Sequence, residues 1–73
     1  MQSFKVALDR YGSYERAVSS VDANRAAEEW AAWYCSHTTE YDLSECYVQE
    51  GGGAWVEFSI EIDSRPIFNA ARV

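Results

Sequence analysis

Residues 55–63 read Trp55-Val56-Glu57-Phe58-Ser59-Ile60-Glu61-Ile62-Asp63, WVEFSIEID. The stretch alternates with period two, the signature of a strand with one face on a core. Val56, Phe58, Ile60 and Ile62 make the inward set. Trp55, Glu57, Ser59, Glu61 and Asp63 make the outward set, three carboxylates and an indole with no Lys or Arg among them. A shift of one residue would bury those acids, so the parity is firmly specified.

The flanking sequence supplies partners for this strand. Residues 45–50 alternate in the same way, with Cys46 and Val48 on one face and Tyr47 and Gln49 on the other. Gly51-Gly52-Gly53 joins the two as a hairpin. Ser64-Arg65-Pro66 forms the next turn, with Pro fixing φ, and residues 67–73 supply a short edge strand. Nearer the N-terminus, residues 3–10 place Phe4, Val6 and Leu8 inward and Lys5, Ala7 and Asp9 outward. Tyr11-Gly12-Ser13-Tyr14 turns the chain, and residues 15–21 form a weaker second strand. Asp22 has the chemistry of a helix N-cap. From Ala23 to about His37 the spacing gathers Ala23, Ala26, Ala27, Trp30, Trp33, Tyr34 and His37 on one side of a helix. Asn24, Arg25, Glu28, Glu29, Ala32 and Ser36 gather on the opposite side. The expected order is β-β-α-β-β-β. This is a single α+β domain, residues 1–73, with an antiparallel sheet of four to five strands and one helix packed on one face. The other face is left to solvent.

The chain has 73 residues, which bounds it to one small core. Three Trp, five Tyr and three Phe make that core dense enough to dispense with staples. The formal charge is −6. Between Ala26 and Ser64 there are nine acids and no Lys or Arg; all six bases (Lys5, Arg10, Arg16, Arg25, Arg65, Arg72) lie outside that span. Such a field repels nucleic acid and anionic membranes and attracts basic protein surfaces. It also serves solubility, which a merely soluble acidic domain would share. No signal peptide or apolar run of about 20 residues is visible, and the two cysteines are too few for a disulfide scaffold, so a cytoplasmic setting is expected.

Possible reactive sites fare poorly. Cys35, His37 and Cys46 are one ligand short of a zinc site. Cys35 and His37, two apart on a helix, point about 200° apart and cannot pair. The glycine triplet lacks the following helix and Lys of a phosphate loop. Glu57 and Glu61 lie about 13 Å apart along a strand, too far for a pair of glycosidase carboxyls. Trp30, Trp33 and Tyr34 read as core, because base-stacking sites come with a basic groove. No catalytic residue, cofactor or metal is expected.

What remains is the outward acid row. Alternate strand residues are about 6.8 Å apart, comparable to the roughly 6–7 Å between successive phosphates of a nucleic-acid strand. A carboxylate row fixed on a sheet can therefore imitate a phosphate row. The candidate partner-binding residues are Glu57, Glu61 and Asp63, with Trp55 as an anchor. Glu28, Glu29, Glu40, Asp42 and Glu45 extend the field.

With VDANRAAEEWAAWY as one helix, CYVQEGGGAWVEFSIEID as a hairpin and strong acidity, the chain resembles small phage- and mobile-element-encoded inhibitors of host defence. It is most similar to type I anti-CRISPR proteins, and more distantly to the acidic inhibitor of uracil-DNA glycosylase. The likeness spans the whole chain and is architectural; no motif carries over residue by residue. It implies a monomer or homodimer in the host bacterial cytoplasm. The implied partner is a basic nucleic-acid-binding protein, a subunit of a crRNA-guided CRISPR surveillance complex, whose DNA-contacting surface the chain blocks; direct nucleic-acid or membrane binding is not expected. The alternative expectation is a small adaptor or structural phage protein that associates through its open sheet face or an edge strand.

Overall fold

The computed structural model describes residues 2–38, 43–64 and 67–73. Its elements are β1 (Gln2–Ala7), β2 (Arg16–Ser20), α1 (Ala23–Thr38), β3 (Glu45–Glu50), β4 (Trp55–Ser64) and β5 (Ile67–Arg72). The strands form one curled antiparallel sheet in the order β2-β1-β3-β4-β5. The chain is thus α+β, with the helix on one face, as its alternation implied.

Because β2 and β3 both run antiparallel to β1 and flank it, they run parallel to each other. The connection between them must cross β1, and α1 is that crossover. The helix consequently touches all five strands. Asp22 starts it: its carboxylate accepts the Arg25 N–H at 2.8 Å while its carbonyl accepts the Ala26 N–H at 3.1 Å, an N-cap in both respects.

Between helix and sheet lie Phe4, Val6, Ala26, Ala27, Trp30, Ala31, Tyr34, Cys35, Cys46, Val48, Phe58, Ile60 and Phe68, with Leu43 closing one end. Trp30 is fully buried, its ring stacked on Tyr34 at 5.0 Å, and its indole N–H donates to the Tyr14 carbonyl at 3.0 Å. That carbonyl belongs to the β1–β2 turn, which Asp9 organises: its carboxylate accepts the N–H groups of Tyr11 at 2.9 Å and Ser13 at 3.1 Å. Gly12 takes φ +86° there and Tyr14 φ +57°. Glycine meets the first without strain; Tyr14 adopts a left-handed conformation that a bulky residue seldom takes.

Two expectations about facing are revised. The buried helix stripe runs through Ala27, Ala31 and Cys35 as well as Ala26, Trp30 and Tyr34, whereas Trp33 is half-buried and His37 is exposed. Small residues let the helix approach closely along that stripe, which rolls Trp33 to the rim. There the Arg16 guanidinium lies 4.8 Å over its ring, with His37 on it at 4.9 Å. Ala7, on the outer face of β1, is nonetheless fully buried. It pairs with Tyr47, whose ring also carries the Arg10 guanidinium 5.5 Å above it, and these large groups shade a single methyl.

The β5 edge is tied to the helix. Ala70 donates its N–H to the Glu28 carboxylate at 3.1 Å, and its carbonyl accepts from the Asn24 amide at 2.9 Å. A hydrogen bond to a charged, part-buried acceptor contributes about 1.5–3 kcal/mol, a neutral one about 0.5–1.5. Glu28→Ala is therefore expected to lower the urea midpoint by an equivalent of about 2 kcal/mol, and Asn24→Ala by roughly half of that. An unchanged midpoint for Glu28→Ala would show the carboxylate to be merely solvated.

Candidate partner-binding surface

Pairing register decides what meets on the outer face. Across β3 and β4, Glu45 lies opposite Ser59, Tyr47 opposite Glu57, and Gln49 opposite Trp55. Across β4 and β5, Ser59 lies opposite Ala71 and Glu61 opposite Asn69. Glu45 thus fills, from the neighbouring strand, the gap that Ser59 leaves between Glu57 and Glu61. Diagonal neighbours on an antiparallel pair are about 7–8 Å apart at the backbone, within reach of long side chains. Glu45 and Glu61 are exposed and Glu57 is half-buried. The three carboxyls form a compact zigzag instead of the single-strand row that alternation alone suggests.

The closeness of Glu45 and Glu57 is visible in protonation. Hydrogen bonding to Glu57, then repulsion by its charge, raises the Glu45 carboxyl above the ordinary glutamate value. Among the described residues no ion pair neutralises Glu45, Glu57 or Glu61; the one present joins Lys5 and Glu15 at 3.9 Å. The face is not uniformly acidic. Strand β1, placed beside β3, brings Lys5 into the row of Gln49 and Trp55, and Arg10 lies over Tyr47. Positive groups occupy the β1 side of the face and carboxylates the β3–β4 side.

The remaining candidate residues are dispersed. Trp55 is on the outer face but half-buried. The side chain of Asp63, like all of Glu40 and Asp42, lies outside the described residues, and the pairing of β4 with β5 is irregular between Ile62 and Ser64. Glu28 and Glu29 stand on the helix, on the opposite side of the sheet. Glu28 is engaged by Ala70, and Glu29 is exposed beside Arg16, Ser19 and Trp33. They do not join the outer array. Glu45 was expected to extend the field, but its place between Glu57 and Glu61 escaped sequence reading, as did the intrusion of Lys5 and Arg10. Both follow from strand order and register, which alternation does not encode.

The thiols offer little chemistry. Cys35 and Cys46 are buried, and burial together with the Glu45 charge pushes Cys46 up to about 12. A thiol held so far above neutrality is not a nucleophile at pH 7. His37 is exposed on the helix, its Nδ1 3.0 Å from the Trp33 carbonyl; because a carbonyl only accepts, Nδ1 carries the proton. Among the described residues no group of three or more His, Cys, Asp or Glu could hold a metal ion, and no helix is long and apolar enough to cross a membrane. The chain matches no protein-family model, no curated protein and no solved structure.

The carboxyl pair makes a pH prediction. A carboxyl whose folded pKa lies above its unfolded value binds protons more tightly when folded. Glu45 is therefore adverse to stability above its raised pKa, and the penalty is relieved as pH falls through it. Asp9 has the opposite sign. Backbone and side-chain hydrogen bonds from Ser13 lead in holding it below its ordinary value of 3.8, so its stabilisation is full above that value and lost as pH falls through the lowered one. In a carboxyl-detected NMR titration, Glu57→Gln is expected to move the Glu45 midpoint down toward ordinary glutamate and leave Asp9 unchanged. A Glu45 midpoint indifferent to Glu57→Gln would mean that the two groups do not meet.

Proposed function

We propose that this protein is a non-enzymatic, cytoplasmic inhibitor of the anti-CRISPR kind. In this reading its acidic sheet face imitates nucleic-acid phosphates and blocks the DNA-binding surface of a crRNA-guided surveillance complex. The observation that carries the reading is the Glu45–Glu57–Glu61 zigzag. The three residues stand at diagonal backbone spacings of about 7–8 Å, near the repeat of a phosphate chain, on paired strands backed by the core. The Glu45 and Glu57 carboxyls reach toward each other to hydrogen-bond contact, and no protein cation is bound to the three among the described residues. Like charges brought this close raise the energy of the free protein, and a partner's guanidinium or ammonium groups would relieve it. Because the backbone ladder fixes the positions, little ordering cost falls on binding. Trp55, half-exposed at the end of the same strand, supplies an apolar contact beside the charges. Lys5 and Arg10 set a limit on the footprint: a cationic groove fits over β3, β4 and β5 and away from β1.

The test uses a purified type I surveillance complex with labelled target DNA. The protein should compete with DNA at low ionic strength and lose that competition steeply between about 50 and 300 mM salt. Glu57→Lys with Glu61→Lys should abolish inhibition while leaving the circular dichroism spectrum and melting cooperativity unchanged, because both positions face outward. Inhibition that survives the double reversal, or that ignores salt, would refute phosphate imitation by this face.

A further inference from the structure

The two edges of the sheet are finished differently. At β5 the outward backbone groups of Ala70 are taken by Glu28 and Asn24 from the helix. At β2 the only strand partner is β1, and among the described residues no group from the helix or the loops hydrogen-bonds to the outer edge of residues 16–20. An antiparallel edge strand left this way offers a row of N–H and C=O groups to an incoming strand. Two clefts, of about 470 and 280 Å³, lie along that edge between β2 and α1, and they share Ser19 and Glu29 in their walls. Exposed apolar groups flank the strand at its two ends. Four large hydrophobic or aromatic side chains are prominently exposed among the described residues, and two of them bracket β2: Tyr14 at 53% and Val21 at 67%.

We propose that the β2 edge is a docking site for a second copy of this chain, β2 against β2, antiparallel about a two-fold axis near Val18. In this register the start of one strand meets the end of the other. Arg16 lies opposite Ser20 of the second copy, beside Asp22 and Glu29, which line the cleft next to Ser20. Tyr14 comes within reach of Val21 of the second copy. Each ionic and apolar contact occurs twice, as an isologous interface requires. That self-complementarity of charge and exposed apolar groups favours a second copy over an unrelated strand. Two five-stranded sheets join into one of ten strands. The remaining edges are the β5 edges, where the Ala70 N–H and C=O are already taken by the helix and a further strand would lose those two bonds. The Glu45–Glu57–Glu61 face is separated from the joint by β1, so this assembly does not depend on the inhibitor reading and fails independently of it.

Sedimentation of the unmodified chain from about 10 μM to about 1 mM is expected to show the 8.3 kDa species giving way to one of twice that mass. Arg16→Glu should weaken the association by about tenfold or more, since it places two repulsive contacts across the axis. Adding Glu29→Arg to Arg16→Glu should recover most of the loss, with circular dichroism confirming the fold of each variant. On the unmodified chain, amide exchange in residues 16–20 should slow with rising protein concentration. A chain that stays monomeric at about 1 mM overturns the proposal. So does a dimer that Arg16→Glu leaves intact, or one whose concentration-dependent protection falls on β4 or β5 instead.

Discussion

The fold depends on the seating of Trp30. A 73-residue domain has a net stability on the order of 4–11 kcal/mol, and removing a buried Trp costs about 3–5 kcal/mol. One side chain therefore accounts for a large share of the margin. Its position also sets geometry. The indole N–H must find an acceptor once the ring is buried, and it finds the Tyr14 carbonyl. The β1–β2 turn is thereby drawn over the helix. Tyr14 turns its ring edge-on to Tyr34 at 5.2 Å while Tyr34 stacks on Trp30. Helix, turn and sheet are thus coupled through one ring cluster, and the left-handed backbone of Tyr14 is the strain that coupling imposes.

Much of this was legible in the sequence because the underlying physics is local. Alternation gives strand parity, and the limits of β3 follow from it directly. Asp22 marks the helix start because its carboxylate suits an N-cap. The glycines at 51 and 52 mark a turn because left-handed backbone is cheap only for them, with φ +57° and +80°. Trp33 was not legible in the same way. Its spacing places it near the buried stripe, but which edge of a stripe is innermost depends on how closely the helix approaches the sheet. Ala27, Ala31 and Cys35 permit a close approach along one line, and Trp33 is displaced to where Arg16 can stack on it.

The candidate surface was less legible than the fold, for a topological reason. The outward parity of Glu57 and Glu61 follows from strand β4 alone. That Glu45 stands between them requires the β3–β4 register, and that Lys5 and Arg10 enter the same face requires β1 to lie beside β3. The first is a hairpin register set through the Gly51-Gly52-Gly53 turn, and the second is a long-range pairing set by the crossover of α1; alternation within one strand encodes neither. The role of Glu28 illustrates the same limit. On a helical wheel it belongs with the solvated acids, yet curling of the sheet brings the β5 backbone to it. A charge that looks available in sequence is then committed to holding an edge.

The acid zigzag has an energetic consequence for so small a protein. Placing Glu45 against Glu57 is unfavourable in the isolated chain, as the raised proton affinity of Glu45 records, and a simple solubility role would be served equally by acids spread over the surface. The sequence could have relieved the pair by exchanging a single residue. Instead the carboxyls stand on two adjacent strands of a continuous ladder, β3 and β4, with Cys46, Val48, Phe58 and Ile60 directly behind them. The packing of that core holds the strands together against the repulsion, so the charges stay in place where a flexible loop would let them separate. A sheet face arranged in this way keeps its least comfortable feature rigid, which is the condition under which electrostatic strain in a free protein can be released on contact with a cation.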